Sequence, residues 1–307
     1  MHVSIIMPAF NVAPFLGEAV QSVLNQTHAE WSLIVVDDGS TDDIDAAMAG
    51  FADPRIRLVR QAHQGVSAAR NRGIWQAGSA MTDAYLFLDG DDFLAADAVV
   101  RLVWALEAAP WAVAAHGRYA RVGADGIPRV SAAPRDGSLL ETLLVRNLFA
   151  NGGHLLIRQE AVVAAGDFRG DLSYGEDWEY WTRLALLGEF VADRGREPLL
   201  FVRERAGSAM RLHAADPSVY RAATEAIYRN PAMAHRLGSA RLAGLRQRAE
   251  AETAWAVGRE LIRHGQRRAG QRWLGRSLAH APSVRRLLLM LPASLRLGPF
   301  RPYPTMA

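Results

Sequence analysis

Short apolar runs alternate with helix-period segments along the first hundred residues. Val3 to Met7 reads as a strand that ends at Pro8. Pro14 sits near the start of a helical pattern reaching about Gln26, with Val20, Val23 and Leu24 on one face. Trp31 to Val36 reads as a second strand. It runs into Asp37-Asp38-Gly39-Ser40-Thr41-Asp42, a turn whose Ser or Thr is placed to cap the next helix. Ile56 to Val59 predicts a third strand, Val66 to Ala77 a helix and Tyr85 to Leu88 a fourth strand. Strands alternating with helices at this spacing predict βαβ units and a mostly parallel sheet. In such sheets ligands sit beyond the carboxyl ends of the strands, which is where both acidic clusters of this region fall.

Further along, the pattern predicts a helix from Asp97 to about Ala108 and one strand from Trp111 to Tyr119. A hairpin turn is expected at Gly123-Ala124-Asp125-Gly126, a helix over 138–148, and a glycine-led approach to a strand over 151–157. Gly175 to Leu187 reads as a helix opening on Glu176-Asp177, acids that the helix dipole favours in a first turn. From about Ser218 the chain is helical and rich in Ala, Leu and Arg. Small residues at Gly258, Gly265, Ala269 and Ala279 are spaced like one helical hairpin of the tetratricopeptide type between Ala254 and Pro282, but such a unit normally needs several neighbours, so a helical extension packed on the preceding domain is the better reading.

Composition narrows the chemistry. The chain has 307 residues, no cysteine and no lysine, all 35 of its Lys+Arg being arginine. Disulfide, thiolate and Schiff-base chemistry are therefore excluded, as is a P-loop lysine. No apolar run approaches the roughly 18–20 residues that span a bilayer, and the start of the chain reads as a strand rather than a signal peptide. A cytoplasmic protein is expected, either free or peripheral on the inner face of the membrane.

Charge is uneven. Residues 203–307 hold 19 Arg against 6 acids, while residues 1–202 hold 16 Arg against 26 acids, against a whole-chain net charge of +3. A basic tail of this kind suits an anionic partner. A peripheral contact with anionic lipid headgroups, through a basic segment such as Arg285-Arg286 followed by Leu287 to Leu291, stands beside a merely solvated helical surface. No nucleic acid is expected as partner.

The densest chemistry lies in Leu86-Phe87-Leu88-Asp89-Gly90-Asp91-Asp92, an apolar run ending in three carboxylates within four residues. Carboxylates so close repel unless a positive charge sits among them. A hard divalent cation, Mg²⁺ or Mn²⁺, held by one or two carboxylates plus a substrate diphosphate, would meet that need. An acidic turn capping the next helix is the alternative.

Together these blocks resemble the family 2 glycosyltransferases of the GT-A fold, over roughly residues 2–212. Ser4 to Asn11 resembles that family's opening strand, Val36 to Asp42 its second motif, and Gln64 to Gly73 its third. Asp89-Gly90-Asp91-Asp92 is similar to its Asp-x-Asp metal motif, and Gly175 to Glu179 to the block ending in the catalytic base. The resemblance implies an α/β fold, a Rossmann-like GT-A domain with a mostly parallel sheet flanked by helices, over 1–217. Its nucleotide-sugar half would cover about 1–95 and its acceptor half about 96–217, with a basic helical extension over 218–307.

The resemblance further implies inverting transfer of a sugar from a nucleotide-diphosphate donor, a UDP-sugar, to the hydroxyl of a glycan or lipid-linked acceptor in surface polysaccharide or glycolipid synthesis. Pro8, Ala9, Phe10 and Asn11 would wall the base and ribose, with Gly65 and Gly90 nearby. Asp38 would accept the base's imino proton, and Asp89 would bond the ribose. Arg70 would offer a forked donor to base or phosphate, or else make a helix-surface salt bridge. Asp91, with Asp89, would bind Mn²⁺ or Mg²⁺. Asp92 fits a cap of the following helix better than a role beside the metal. Asp177 would be the base, with Glu176 as the alternative, and Trp178 and Trp181 would form either a sugar platform or core. The family's late histidine is replaced here by Arg205. Either Arg205 contacts the diphosphate directly or His213 supplies a nitrogen ligand from a loop over 204–217 that closes on the donor. Two rival classes remain: a nucleotidyltransferase, which would release pyrophosphate, and a sugar-nucleotide-binding protein without turnover.

Overall fold

In the computed structural model, which describes residues 1–123, 125–204, 217–263, 265–284, 286–288 and 290, the opening apolar run forms strand β1, Val3–Ala9, buried along its whole length. A strand inside a parallel sheet is covered on both faces, so it tolerates few polar positions. The strands after it are β2 (Trp31–Asp37), β3 (Ile56–Arg60), β4 (Ala84–Phe87), β5 (Phe93–Leu94), β6 (Ala112–His116), β7 (Tyr119–Val122), β8 (Pro128–Val130), β9 (Leu155–Arg158), β10 (Glu189–Ala192) and β11 (Leu200–Arg203). Seven of them make one sheet in the order β10-β6-β9-β4-β1-β2-β3, and the other four make a second in the order β5-β11-β7-β8. In the large sheet only β9 runs antiparallel to its neighbours. The expected mostly parallel α/β sheet with a helical C-terminal part is therefore present.

Strand β1 does not end at Pro8 as the sequence suggested, but continues through Ala9 in register with Asp37. Its pairing with β4 stops at Ile6 and Phe87. Beyond that point Pro8 only has to accept, its carbonyl taking the Gly90 N–H at 3.2 Å, so the donor that proline lacks is not missed.

The helices of the first two hundred residues are α1 (Ala13–Leu24), α2 (Ile44–Met48), α3 (Val66–Ala77), α4 (Ala98–Glu107), α5 (Leu140–Val145), α6 (Gln159–Ala165) and α7 (Glu176–Leu187). Helix α1 buries Leu16, Ala19, Val20 and Val23 in the main core with β1, β2 and α4. Its amino end is closed from outside: Asp42 accepts the Ala13 N–H at 2.7 Å. Helix α2 is capped by Asp43, which accepts from Ala46 N–H. The Ser or Thr cap expected for this helix is thus replaced by one carboxylate, Asp43. Helix α3 lies close on β1 because position 73 is glycine; a Cβ there would stand 2.2 Å from Ile6 Cγ2.

The single strand expected over Trp111 to Tyr119 is two, β6 and β7, which belong to different sheets. The break falls at Gly117-Arg118, where the chain crosses from one sheet to the other. The hairpin expected after Tyr119 is present as the antiparallel pair β7–β8.

Helix α7 rests on an aromatic cluster. Phe168 stacks on Tyr180 with centroids 3.8 Å apart, and Trp181 packs edge-on against Phe149 and Phe168. Trp181 and Trp178 are both buried. They form core, which removes the sugar-platform reading for them.

By its internal contacts the chain divides into Met1–Leu139 with Phe149–Arg205, and Leu140–Leu148 with Ala206–Ala307. The second unit contains α5 and the helices α8 (Pro217–Tyr228), α9 (Pro231–Leu237), α10 (Ser239–Arg263) and α11 (Arg267–His280). Tyr228 donates its hydroxyl to the Leu144 carbonyl at 2.6 Å, and Glu141 pairs with Arg241. Helices α10 and α11 form the expected hairpin, closed where Gly258 and Gly270 meet backbone to backbone. Among the described residues no helix is long and apolar enough to cross a membrane. Arg285, Leu289 and Leu291 of the expected basic amphipathic segment lie outside the described residues.

Candidate active site

Where β1, β2 and β4 deliver their carboxyl ends, the first unit has a cleft of about 280 Å³. Pro8, Ala9 and Phe10 line it from the end of β1, Asp38 from beyond β2, and Asp89, Gly90 and Asp91 from beyond β4. Arg70 enters from α3 and Glu176 from the first turn of α7. Nine of the residues singled out from sequence therefore meet in one cavity. Four further lining residues, Val12, His63, Val66 and Ala69, were not anticipated.

Asn11 is not among the lining residues. Its backbone has a positive φ of 52°, and its side-chain oxygen accepts the Thr41 N–H at 2.8 Å and the Thr41 hydroxyl at 3.1 Å. It fixes the loop beside the cleft instead of walling a ligand. Gly65 also lies off the wall, but its N–H donates to Asp38 Oδ2 at 2.8 Å. Gly90 fits close to Pro8; a Cβ there would meet the Pro8 carbonyl and Val12 Cγ2, each at 3.1 Å.

Asp38 is buried and heavily engaged. Its carboxylate accepts from Gln61 Nε2 at 2.8 Å, Gln64 N–H at 2.9 Å and the Gly65 N–H. His63 Nδ1 lies 2.9 Å from Oδ2. The carboxylate therefore holds the turn before α3 in place, besides facing the cleft.

Arg70 is neither a surface ion pair nor a free fork. Its side chain is 4% exposed and bridges two acids: Nη1 donates to Glu176 Oε1 at 2.9 Å and Nη2 to Asp89 Oδ1 at 3.1 Å. Burial works against its charge, but Asp89, Glu176 and Asp177 outweigh burial and raise its pKa further. The guanidinium thus ties the end of β4 to the start of α7.

Asp89 is held on its other side by Asn151, whose Nδ2 lies 3.3 Å from Oδ2. With one bond on each oxygen, from Arg70 and from Asn151, Asp89 keeps a further lone pair on each for a ribose hydroxyl or a cation. The same Asn151 amide donates to Asp92 Oδ2 at 2.5 Å. Asp92 Oδ1 accepts the Arg203 N–H at 2.9 Å. Asp92 is therefore not a helix cap. It is a buried carboxyl pinning β11 and Asn151 behind the acidic turn, and burial, followed by Asp91 and Asp89, pushes its pKa well above the ordinary range. Asn151 and Arg203 are functional supports that no local motif announces, since their partners lie 59 and 111 residues away.

Asp177 is half-buried beside Glu176, with the Trp178 N–H donating to its Oδ1 at 2.6 Å. Burial, then Glu176, push its carboxyl up to about 7, against the pull of Arg70 and the Trp178 N–H; Asp89 adds to the rise. A carboxyl poised near neutral pH can take a proton and give it up again. Glu176 reaches the cleft wall, but its carboxylate is committed to Arg70.

The donor set suits a hard cation only in part. Asp91 and Asp89 offer carboxylate oxygens at the cleft, and among the described residues no group of three or more His, Cys, Asp or Glu side chains forms a metal cage. A Mg²⁺-like ion that takes its remaining ligands from a diphosphate and water fits such a set; an all-protein site does not. Arg205 and His213, the two residues weighed as stand-ins for a late histidine, lie outside the described residues, as does all but Glu204 and Pro217 of the expected closing loop.

The sequence profile described as glycosyl transferase family 2 matches residues 4–162, just over half of the chain. The chain belongs to this family. Among curated family members it is similar to a glucosyltransferase of Escherichia coli, WfgD, described as UDP-Glc:alpha-D-GlcNAc-diphosphoundecaprenol beta-1,3-glucosyltransferase. Identity is 38% over 91 residues, which is 29% of this chain and 35% of WfgD. Across the first curated relatives the matched stretch spans between 13% and 38% of their own length. Among solved structures the fold is similar to Staphylococcus aureus TarS 1–349 in complex with UDP-GlcNAc, with TM-score 0.63, 15% identity, and coverage of 94% of this chain and 92% of that one. It is also similar to the mannosyltransferase PcManGT of Pyrobaculum calidifontis in complex with GDP-Man and Mn²⁺, with TM-score 0.59, 21% identity, and coverage of 98% and 82%. At these identities the two likenesses concern the fold, and they agree with the α/β sheet described above.

Proposed function

We propose that this protein is an inverting glycosyltransferase that moves a sugar from a UDP-sugar to an acceptor hydroxyl. The observation that carries this reading is the sharing of one cleft by Asp89, Asp91 and Glu176, joined by Arg70, with Asp177 following Glu176 in the first turn of α7 though not itself on the cleft wall. Family membership, the UDP-sugar named for WfgD and the UDP-GlcNAc in the TarS complex favour a uridine donor.

In this reading Phe10, Pro8 and Ala9 hold the base and ribose, and Asp38 accepts the base's ring N–H. Asp91, with Asp89, would hold a divalent cation, for which the Mn²⁺ of the PcManGT complex is a precedent. When bound, that cation neutralises the charge gathering on the leaving diphosphate. Asp177 removes the proton from the acceptor hydroxyl as its oxygen attacks the anomeric carbon from the face opposite the diphosphate. The bond from that carbon to the diphosphate oxygen breaks, and UDP leaves with the electron pair. Arg70 holds Asp89 and Glu176 in place during this exchange.

The acceptor is a glycan or lipid-linked sugar in surface polysaccharide or glycolipid synthesis. WfgD, whose printed acceptor is a diphosphoundecaprenol-linked sugar, supports that class. The basic C-terminal part suits a peripheral contact with an anionic membrane surface. The test is direct: purified protein is incubated with UDP-sugars, Mn²⁺ and a lipid-linked sugar, and UDP release and the mass of the lipid product are followed. Sugar transfer with release of UDP supports the reading, and release of pyrophosphate overturns it.

A further inference from the structure

His63 is the polar lining residue that the proposed reaction leaves without a task. It lies between β3 and α3, and its imidazole stacks on Phe10 with ring centroids 4.1 Å apart and planes 21° from parallel. Its Nδ1 hydrogen-bonds the Asp38 carbonyl oxygen at 3.1 Å and stands 2.9 Å from the Asp38 carboxylate. Both neighbours of Nδ1 are acceptors, so that nitrogen carries the proton. A flat ring on Phe10, with a ring N–H directed at Asp38, makes the same two contacts assigned above to the donor's base.

The two cannot make them together. Phe10 offers one ring to stack on, and it is 41% exposed. The Asp38 carboxylate already accepts from Gln61 and from the Gln64 and Gly65 N–H groups. A carboxylate has room for about four hydrogen bonds, and His63 Nδ1 stands at the remaining place. The Gln64 and Gly65 donors are backbone and cannot leave without unravelling the turn. The loop itself is also fixed, because Gln61 N–H bonds the Asp37 carbonyl at 3.0 Å and the backbone nitrogen of His63 sits so close to Gly39 that a Cβ there would be 2.8 Å away. Two side-chain donors can move, the Gln61 amide and the His63 imidazole, but only His63, whose side chain is 55% exposed, also covers Phe10.

We propose that His63 is a built-in competitor for the donor's base: its imidazole takes the seat on Phe10 against Asp38, and a base binds by displacing it. This rests on the nucleotide-donor reading. It names the base class as well. Uracil and guanine present a ring N–H at the edge that would meet Asp38. Cytosine presents a bare ring nitrogen there, whose lone pair faces the carboxylate.

Calorimetric titration of UDP, GDP and CDP into the wild-type protein and His63→Ala, all with Mn²⁺, tests the proposal. UDP binds His63→Ala about tenfold more tightly than wild type, equivalent to about 1.4 kcal/mol, and CDP stays weak in both. Because the substitution could alter the loop, NMR of the wild-type histidine rings gives a second reading. The His63 ring protons are shifted by the Phe10 ring current, and UDP returns them toward the positions of a free histidine. Unchanged or weaker UDP binding by His63→Ala, or His63 signals that do not move on UDP addition, overturns the proposal while leaving the donor reading intact. Failure of both proteins to bind UDP or GDP overturns the donor reading, and this proposal with it.

Discussion

Arg70 Nη1 donates to Glu176 Oε1 at 2.9 Å across 106 residues of sequence, with both side chains out of solvent. The other end of the same guanidinium reaches Asp89. A cation placed between two acids in a partly closed cleft does more than cancel charge. It fixes the distance between the strand end that would carry the metal ligands and the helix start that would carry the base. Such a bridge is costly to break, because Glu176 would be left buried without its cation and Asp89 with only Asn151 beside it.

Substitution Arg70→Met removes the bridge while keeping much of the volume. We expect the variant to lose about 3–5 kcal/mol of stability, measured by urea unfolding. A loss below 1 kcal/mol would show that the acids are solvated and that the bridge contributes little.

Asp177, held up to about 7 by burial and by Glu176, gives a pH signature. A base must be ionised to act, so kcat/KM rises with pH and levels off above an apparent pKa near 7. Stability moves the opposite way. The folded carboxyl binds a proton between about pH 4 and 7 that the unfolded one releases, so this group's contribution falls as pH rises through that window. Asp177→Asn should therefore abolish the acidic limb, lower the rate by roughly 10²–10⁴ and be relatively more stable than wild type at pH 8. An unchanged pH–rate profile in that variant would assign the base elsewhere.

Asn151 acts on Asp89 and Asp92 together, so Asn151→Leu leaves two carboxylates without their shared donor. The expected cost is about 1–3 kcal/mol of stability, with weaker Mn²⁺ binding in the presence of UDP. Thermal unfolding and an electron-spin-resonance titration of Mn²⁺ read the two effects separately. Undiminished Mn²⁺ affinity would confine Asn151 to a packing role.

Gly73→Ala places a methyl 2.2 Å from Ile6 Cγ2 in the contact between α3 and β1. Overpacking of this kind costs about 1–3 kcal/mol, read as a lower denaturation midpoint. A neutral substitution would mean that α3 slides freely on the sheet.

The parts of this molecule legible in its sequence are those whose causes are local. Strands β1, β2 and β4 are apolar on both faces, and α3 follows a turn and ends at Gly78, so their positions read directly. Strand β5 has two residues and β11 four, too short to show a period; β5 exists only because it pairs with β11, and β11 because it lies between β5 and β7. The break between β6 and β7 is set by the crossing between sheets, not by any strong local breaker beyond one glycine. The same division holds in the cleft. Asp38, Arg70, Asp89, Asp91 and Glu176 stand in recognisable blocks. The roles of Asn151, Arg203 and His63 depend on partners 25 to 111 residues distant. The capping expected of Asp92 failed for a related reason: its local setting resembles a helix start, but its burial opposite Asn151 decides what it bonds.

The most direct measurement of the account is UDP release from a UDP-sugar with Mn²⁺ and a lipid-linked acceptor, comparing wild type with Asp91→Ala and Asp177→Asn. Wild-type turnover should vanish with chelator, and both variants should be reduced by at least about 10²-fold. Wild-type rates in either variant, with the chelator making no difference, would contradict it.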